Sequence, residues 1–534
     1  MGQLRMEQKI GQLMVFGFSG KVITEELKML IREHYVGGII LFGRNIGTPK
    51  EVLKLTTELQ REAKLAGHEY PLFICTDQEN GAVRRLGEGA TVFPGAMLLG
   101  ATQNPENAYE IGRACGKELK SLGINWNLSP VLDVNNNANN PVIGVRSFGE
   151  SAEKVALFGE KAMKGMQDAG IITTLKHFPG HGDTSVDSHL DLPVIDHSLE
   201  RLEEVELKPF TACIQSGADI IMTAHIYFPA LEDEAFLPAT LSKKLITGLL
   251  REKLKFNGVV TTDCMEMNAI SKTVGTAKGA IEFIKAGGDL VMISHSFGPQ
   301  LETIKEVTQA VLSKEIDESM VDAAFQRVFQ LKKKYLKWED IDLEQKMLIP
   351  DFVGGAEHRL MAEKIYRQGI TIVKNENNIL PLSSSPENKV LIVYPENNQT
   401  LLVEDKRYST MSLGEAIKAI HPSADIVTIS NPPTIEEIRT IIKRSIHYDK
   451  VIVATLSIVS GSMQITLIEE LVEAGAEVIV LAIRNPYDLA YLPTVPVYIC
   501  TYEFTETALR IAAACIYGQE CVTGKLPVTI EKKQ

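Results

Sequence analysis

No apolar run in this chain reaches the ~18 residues that a membrane-spanning helix needs, so no such span is expected. The first 18 residues, MGQLRMEQKIGQLMVFGF, lack both a continuous apolar core and a small-residue cleavage site, and no export signal is read there. Positive charge is in deficit. With 55 Lys and Arg against 68 Asp and Glu, the net charge is -13 and the pI is near 5.5, which argues against nucleic acid or an anionic membrane as a partner. The 7 cysteines are odd in number and scattered, and Cys515 and Cys521 lack CxxC spacing, so neither a disulfide framework nor a paired zinc motif is expected. No G-x-G-x-x-G follows the first apolar run, no HExxH occurs, and no fixed repeat or low-complexity tract is present. These absences point to a cytoplasmic enzyme without a cofactor, or to a secreted or lipid-anchored one where an export sequence has been trimmed. A monomer is the expected state.

What is present begins with size. A chain of 534 residues with 45% hydrophobic content exceeds one core, and two domains are expected. Eight apolar runs, at 13–18, 38–42, 72–77, 124–129, 172–177, 220–225, 259–263 and 289–293, alternate with helical patterns such as 152–169, 199–216 and 242–255. Eight such units are the count of a (β/α)8 TIM-type barrel, assigned to residues 1–337. An open doubly wound sheet is the alternative, but the missing glycine fingerprint and the eightfold count favour closure. An acidic connector spans 338–360, and 361–534 carries six further runs at 370–373, 390–394, 425–429, 451–455, 477–482 and 497–501. That second α/β series predicts a three-layer α/β/α sandwich domain.

The chemistry concentrates in residues 176–193, KHFPGHGDTSVDSHLDLP, which hold three of the 11 histidines and three aspartates. The stretch starts at a strand end and continues into a loop too rich in Gly, Asp and Ser for a helix. Other strand ends carry Asp77, Asn127, Asp133, His225 and Asp263, and Arg146 follows the fourth run. In a closed barrel these ends converge on one face.

Each group has two readings. Asp263 is either a nucleophile or charge stabiliser on a rigid mount, or a cap for the following helix. Asp187-Ser188-His189 can set a carboxylate behind an imidazole that gives and takes a proton near neutral pH, or can be a turn Asp beside an exposed His. Lys176 and Asp77 suit sugar hydroxyls, or each other. His177, His181, Asp183, Asp187 and His189 could also form a metal cluster, but the glycine-rich loop is a poor cage and no metal is expected.

These motifs resemble glycoside hydrolase family 3 β-N-acetylglucosaminidases of the two-domain bacterial type, over nearly the whole chain. The specific matches are the run from Lys176 to Thr184 leading into Asp187-Ser188-His189, and the TTD ending at Asp263. Thr76 to Glu79, Arg146 to Gly149 and Gly524 to Val528 add weaker support. The resemblance implies a retaining exo-acting enzyme with Asp263 as nucleophile, His189 as acid/base and Asp187 as its dyad partner. Asp77, Arg146, Lys176, His177 and His225 would hold the terminal GlcNAc of chito-oligosaccharides or muropeptide fragments. An imidazole then replaces the usual acid/base carboxylic acid, which favours a pH optimum nearer neutral. It also removes charge repulsion against phosphate, so a β-N-acetylglucosaminide phosphorylase is the alternative. Related β-glucosidases carry Trp after the nucleophile, where this chain has Cys264. No chemical motif is assigned to residues 361–534, and a structural or rim role is expected for them.

Overall fold

The computed structural model describes residues 4–344, 348–396 and 411–531. Eight parallel strands close into a barrel in sequence order: β1 Met14–Phe16, β2 Gly38–Leu41, β3 Phe73–Thr76, β4 Trp126–Asn127, β5 Ile172–Phe178, β6 Ile220–Thr223, β7 Val259–Cys264 and β8 Leu290–Ile293. β1 pairs with β8, which leaves no open edge. All eight fall on the apolar runs read from the sequence. They are near-continuous in hydrophobicity because one face packs on helices and the other fills the barrel.

One helical expectation needs correction. The pattern over 199–216 forms two helices, Leu199–Glu204 and Leu207–Gln215. Pro209 cannot donate to the carbonyl four residues earlier, that of Val205, and its ring clashes there, so the first helix ends. The 242–255 pattern contains a π-helix, Lys244–Lys253.

Among the described residues, the second domain holds six strands: β9 Thr371–Asn375, β10 Val390–Pro395, β11 Asp425–Ile429, β12 Lys450–Thr455, β13 Val478–Ala482 and β14 Val497–Cys500. Their order is β11-β10-β12-β13-β14-β9, parallel except for β9. Intervening helices cover the sheet, giving the α/β/α layers that alternating strands and helices require. The helix Ala356–Gly369 starts inside the stretch read as connector.

Buried polar contacts join the barrel to the connector and to the second domain. Glu118 accepts from Thr91 N–H at 2.9 Å, Thr91 hydroxyl at 2.5 Å, Gly354 N–H at 3.2 Å and His358 Nδ1 at 2.7 Å. Glu503 accepts from Gly95 N–H at 2.8 Å and Tyr366 hydroxyl at 2.6 Å. Two motifs far apart in sequence also meet. Gly149 has φ +146°, and a Cβ there would lie 2.6 Å from the Pro527 carbonyl oxygen, so the terminal GKLPV segment packs on RSFG only because that position is glycine.

Glu118→Ala strands several buried donors at once. It is expected to cost about 3 kcal/mol of unfolding free energy, read as a lowered denaturation midpoint. A loss under ~0.5 kcal/mol, the range of ordinary surface substitutions, would contradict the joining role.

Candidate active site

The carboxyl ends of the barrel strands surround a cavity of about 370 Å³ lined by Asp77, Glu79, Arg146, Lys176, His177, His189 and Asp263 among others. Its wall is a chain of alternating charges. Lys176 donates to Asp77 at 2.8 Å and Glu79 at 2.7 Å. Arg146 grips both oxygens of Glu79, each at 2.8 Å, the two-pronged geometry that guanidinium favours. Burial opposes ionisation of Glu79, but Arg146 and Lys176 outweigh it and hold the carboxyl well below its ordinary range. Burial likewise opposes the charge on Arg146, and Glu79 reverses the balance upward. Arg85 stands 3.6 Å from Asp77.

Asp133 organises the next part. Fully buried, it accepts from the backbone N–H of His177 at 3.1 Å and of His181 at 2.7 Å, and from His177 Nδ1 at 2.7 Å. The last contact sets the proton on Nδ1 and leaves Nε2 of His177 for a ligand. Burial raises the Asp133 pKa, but His177 outweighs it and the net shift is downward.

The loop after β5 is then folded back on itself. A Cβ at Gly182 would sit 1.7 Å from the Val134 carbonyl oxygen, so the GHGD run needs glycine to lie against the β4 loop. Asn140 donates to the carbonyls of His181 and Gly182, both at 2.9 Å. The Thr184 hydroxyl donates to the His181 carbonyl at 3.1 Å, so at 2.8 Å it accepts from His181 Nδ1, and Ser188 completes the ring's partners at 3.1 Å from Nε2. Burial lowers His181 to about 4, so it is a neutral tether rather than an acid.

That tether ends at Ser188, between the two members of the dyad. Asp187 Oδ1 accepts from both the backbone N–H of His189 at 2.9 Å and its Nδ1 at 2.7 Å. Burial disfavours the His189 imidazolium, but the hydrogen bond to Asp187 and the charges of Asp263 and Asp187 prevail, and its pKa is raised. Asp263, at the end of β7, accepts from Cys264 N–H at 2.6 Å. Burial opposes its ionisation, yet the imidazoles of His177, His225 and His189 bring it down to about 2.

One expected ligand residue sits elsewhere. His225 does not line the cavity. It is 1% exposed, with Nδ1 2.8 Å from Thr240 Oγ1 and Nε2 3.1 Å from the Cys264 carbonyl. Both ring nitrogens are used, so the expectation that it grips substrate is corrected to a support behind Asp263. The loop histidines and aspartates do not gather as the metal cluster weighed from the sequence. Among the described residues, the three-member donor groups are Cys264/Glu266/His295 and Asp183/His197/Glu206, and only Asp183 recurs.

Residues 5–331 match the Glycosyl hydrolase family 3 N terminal domain, and residues 370–534 match the Glycosyl hydrolase family 3 C-terminal domain. The chain belongs to glycosyl hydrolase family 3. Among solved structures it is similar to a glycoside hydrolase family 3 β-N-acetylglucosaminidase from Paenibacillus sp. str. FPU-7, at TM-score 0.92 and 40% identity, covering 100% of both chains. It is also similar to a fungal multi-domain family 3 β-N-acetylglucosaminidase, at TM-score 0.92 and 36% identity, over 99% of this chain and 61% of that one. A curated relative, β-hexosaminidase A of Pseudoalteromonas piscicida, is 35% identical over 413 residues, 73% of this chain and 68% of its own length. This family 3 glycoside hydrolase therefore carries its cavity at the barrel face where the fold holds sites.

Glu79, Arg85 and Arg44 are among the cavity residues that had no assigned role from the sequence. Glu79 lies in the quoted TDQE, two residues after Asp77, and that spacing on an extended strand end was its available signal. Arg44 lies in the one-turn helix Gly43–Asn45 just past β2, and Arg85 in the long loop after β3. A second cavity, of about 770 Å³, adjoins the first through shared Val142 and Arg146 and is lined by Asn136 to Asn140 of the barrel and by Ser457, Arg484 and Tyr487 of the second domain.

Glu79→Gln removes the anion between two buried cations and is expected to cost about 3–5 kcal/mol of stability. Asp77→Asn, at a more open carboxylate, should cost less. Denaturation of the two variants side by side checks the order, and the reverse order would contradict the charge chain.

Proposed function

We propose that this chain is a retaining exo-β-N-acetylglucosaminidase that releases terminal GlcNAc from short chito-oligosaccharides or muropeptide fragments. The observation carrying this reading is that His189 and Asp263 open into one cavity with their pKa values pushed in opposite directions, the imidazole's upward and the carboxyl's down to about 2. Relatives described as β-N-acetylglucosaminidases support the sugar.

Asp263, ionised at neutral pH, attacks the anomeric carbon as the glycosidic bond breaks. His189 gives its Nε2 proton to the departing oxygen, and Asp187 steadies the imidazolium beforehand. The neutral ring then takes a proton from water, whose oxygen attacks the glycosyl ester and frees Asp263. Asp77, Arg146, Lys176 and His177 hold the hydroxyls and acetamido group. Lys176 and Arg146 are already neutralised by Glu79 and Asp77, so they orient a neutral sugar without adding net charge. A cavity of about 370 Å³ closed below by the barrel core suits one terminal sugar, and the adjoining cavity bordered by the second domain suits the aglycone.

Water is the acceptor in this reading. Free GlcNAc at a rate independent of inorganic phosphate is the expected product, whereas phosphate-dependent release of GlcNAc-1-phosphate would establish the phosphorylase instead.

Two variants separate the roles. His189→Ala should slow natural disaccharides by about 100-fold or more while sparing activated aryl glycosides, which leave without protonation. Asp187→Asn removes the main support for the raised His189 pKa, so the alkaline limb of kcat/KM should move to lower pH. Equal losses on both substrates, or an unmoved limb, would refute the dyad.

A further inference from the structure

We infer that Cys264, Glu266 and His295 form a binding site for one thiophilic divalent cation, of the zinc class, which acts as a reversible brake on the enzyme. One ligand atom from each lies within 4.8 Å of the other two. Cys264 Sγ stands 3.9 Å from Glu266 Oε2. A tetrahedral zinc with bonds of about 2.0–2.3 Å needs ligand atoms roughly 3.3–3.7 Å apart. A contraction of about 1 Å at the widest pair meets that need.

The thiol is mounted on a strand end and the other two donors on the loops that follow β7 and β8. Cys264 is the last residue of β7, and its thiol is buried against the cavity. Glu266 Oε2, the oxygen 3.9 Å from the Cys264 thiol, also accepts from His295 N–H at 2.6 Å, which ties the β7 and β8 loops together, and its second lone pair serves a cation. His295 is exposed, two residues past the end of β8, so its ring can swing inward. Ser294 Oγ, beside the Cys264 thiol, is buried with no other hydrogen-bond partner among the described residues. It offers an oxygen to a cation-bound water. The nearby cation, Arg44, is drawn off toward the carbonyls of Phe18 at 2.8 Å and Ser294 at 2.5 Å.

A sulfur and nitrogen donor set selects zinc-class ions over magnesium or calcium, which prefer oxygen. Binding replaces the thiol proton: the Cys264 S–H bond breaks, a metal–sulfur bond forms, and one proton leaves to solvent. One thiolate and one carboxylate then neutralise the dication. The fourth position opens on the cavity, one residue from Asp263. A cation there would attract the nucleophilic carboxylate and occupy the space of the sugar.

The test uses the full-length chelator-treated enzyme with Zn2+ alone, reading binding by competition with a chromophoric chelator and activity in parallel. One equivalent should bind as activity falls, with Cys264→Ser and His295→Ala each weakening binding by at least about tenfold. Co2+ should give a near-ultraviolet thiolate band in the wild type that Cys264→Ser abolishes. Absence of binding overturns the site. So does binding that Cys264→Ser leaves intact, and sensitivity to Asp187→Asn or His197→Ala would then move the metal to the dyad or to the Asp183 group. Binding and the cobalt band need no turnover, so they stand or fall separately from the proposed glycosidase activity.

Discussion

The Asp133 carboxylate is the constraint on which the site depends. Two backbone N–H groups and one imidazole converge on it, and all three belong to the turn where β5 becomes the long loop. Ionised in the buried barrel rim, it needs those donors, and they need it. The consequence travels along the chain. His181 is fixed, it holds Thr184 and Ser188, and Ser188 sits between Asp187 and His189. A loop too rich in glycine to define its own shape is thereby given one by hydrogen bonds.

The electrostatics of the cavity follow from the same economy of charge. Lys176 and Arg146 are neutralised by Asp77 and Glu79, so the wall that meets a sugar is polar without a large net field. The remaining imbalance lies between His189 and Asp263. Each raises the ionised population of the other, and Asp187 adds to the imidazolium from behind. Two groups whose pKa values are pushed apart in one cavity are the usual signature of an acid and a nucleophile. His225 and His177 add to the pull on Asp263 while making their own bonds to protein.

The second domain, which offered no chemical motif, contributes by contact. Glu503 is a buried carboxylate that bonds across the domain boundary to Gly95, Glu118 bonds the connector at Gly354 and His358, and Tyr487 meets Asn135 at 3.0 Å beside the rim. Its loops border the cavity adjoining the catalytic one.

The fold was legible because it rests on local pattern. Eight apolar runs, then six, match the observed strands because burial on both faces of a parallel strand writes a continuous hydrophobic stretch. The break at Val205 was legible in principle from Pro209 and was masked by a regular apolar spacing. Asp263, Lys176 and Asp77 could be chosen because strand ends of a barrel share one face, whereas His189 and Asp187 were chosen through the family resemblance of the loop motif. The chain's own order of residues thus determined the two-domain architecture and several of the side chains that reach the cavity rim. Only the tertiary structure decided that Glu79 links Lys176 to Arg146, that His181 tethers instead of ionising, and that His225 turns behind Asp263. Those roles depend on distances between residues far apart in the chain, and no spacing along the sequence encodes them.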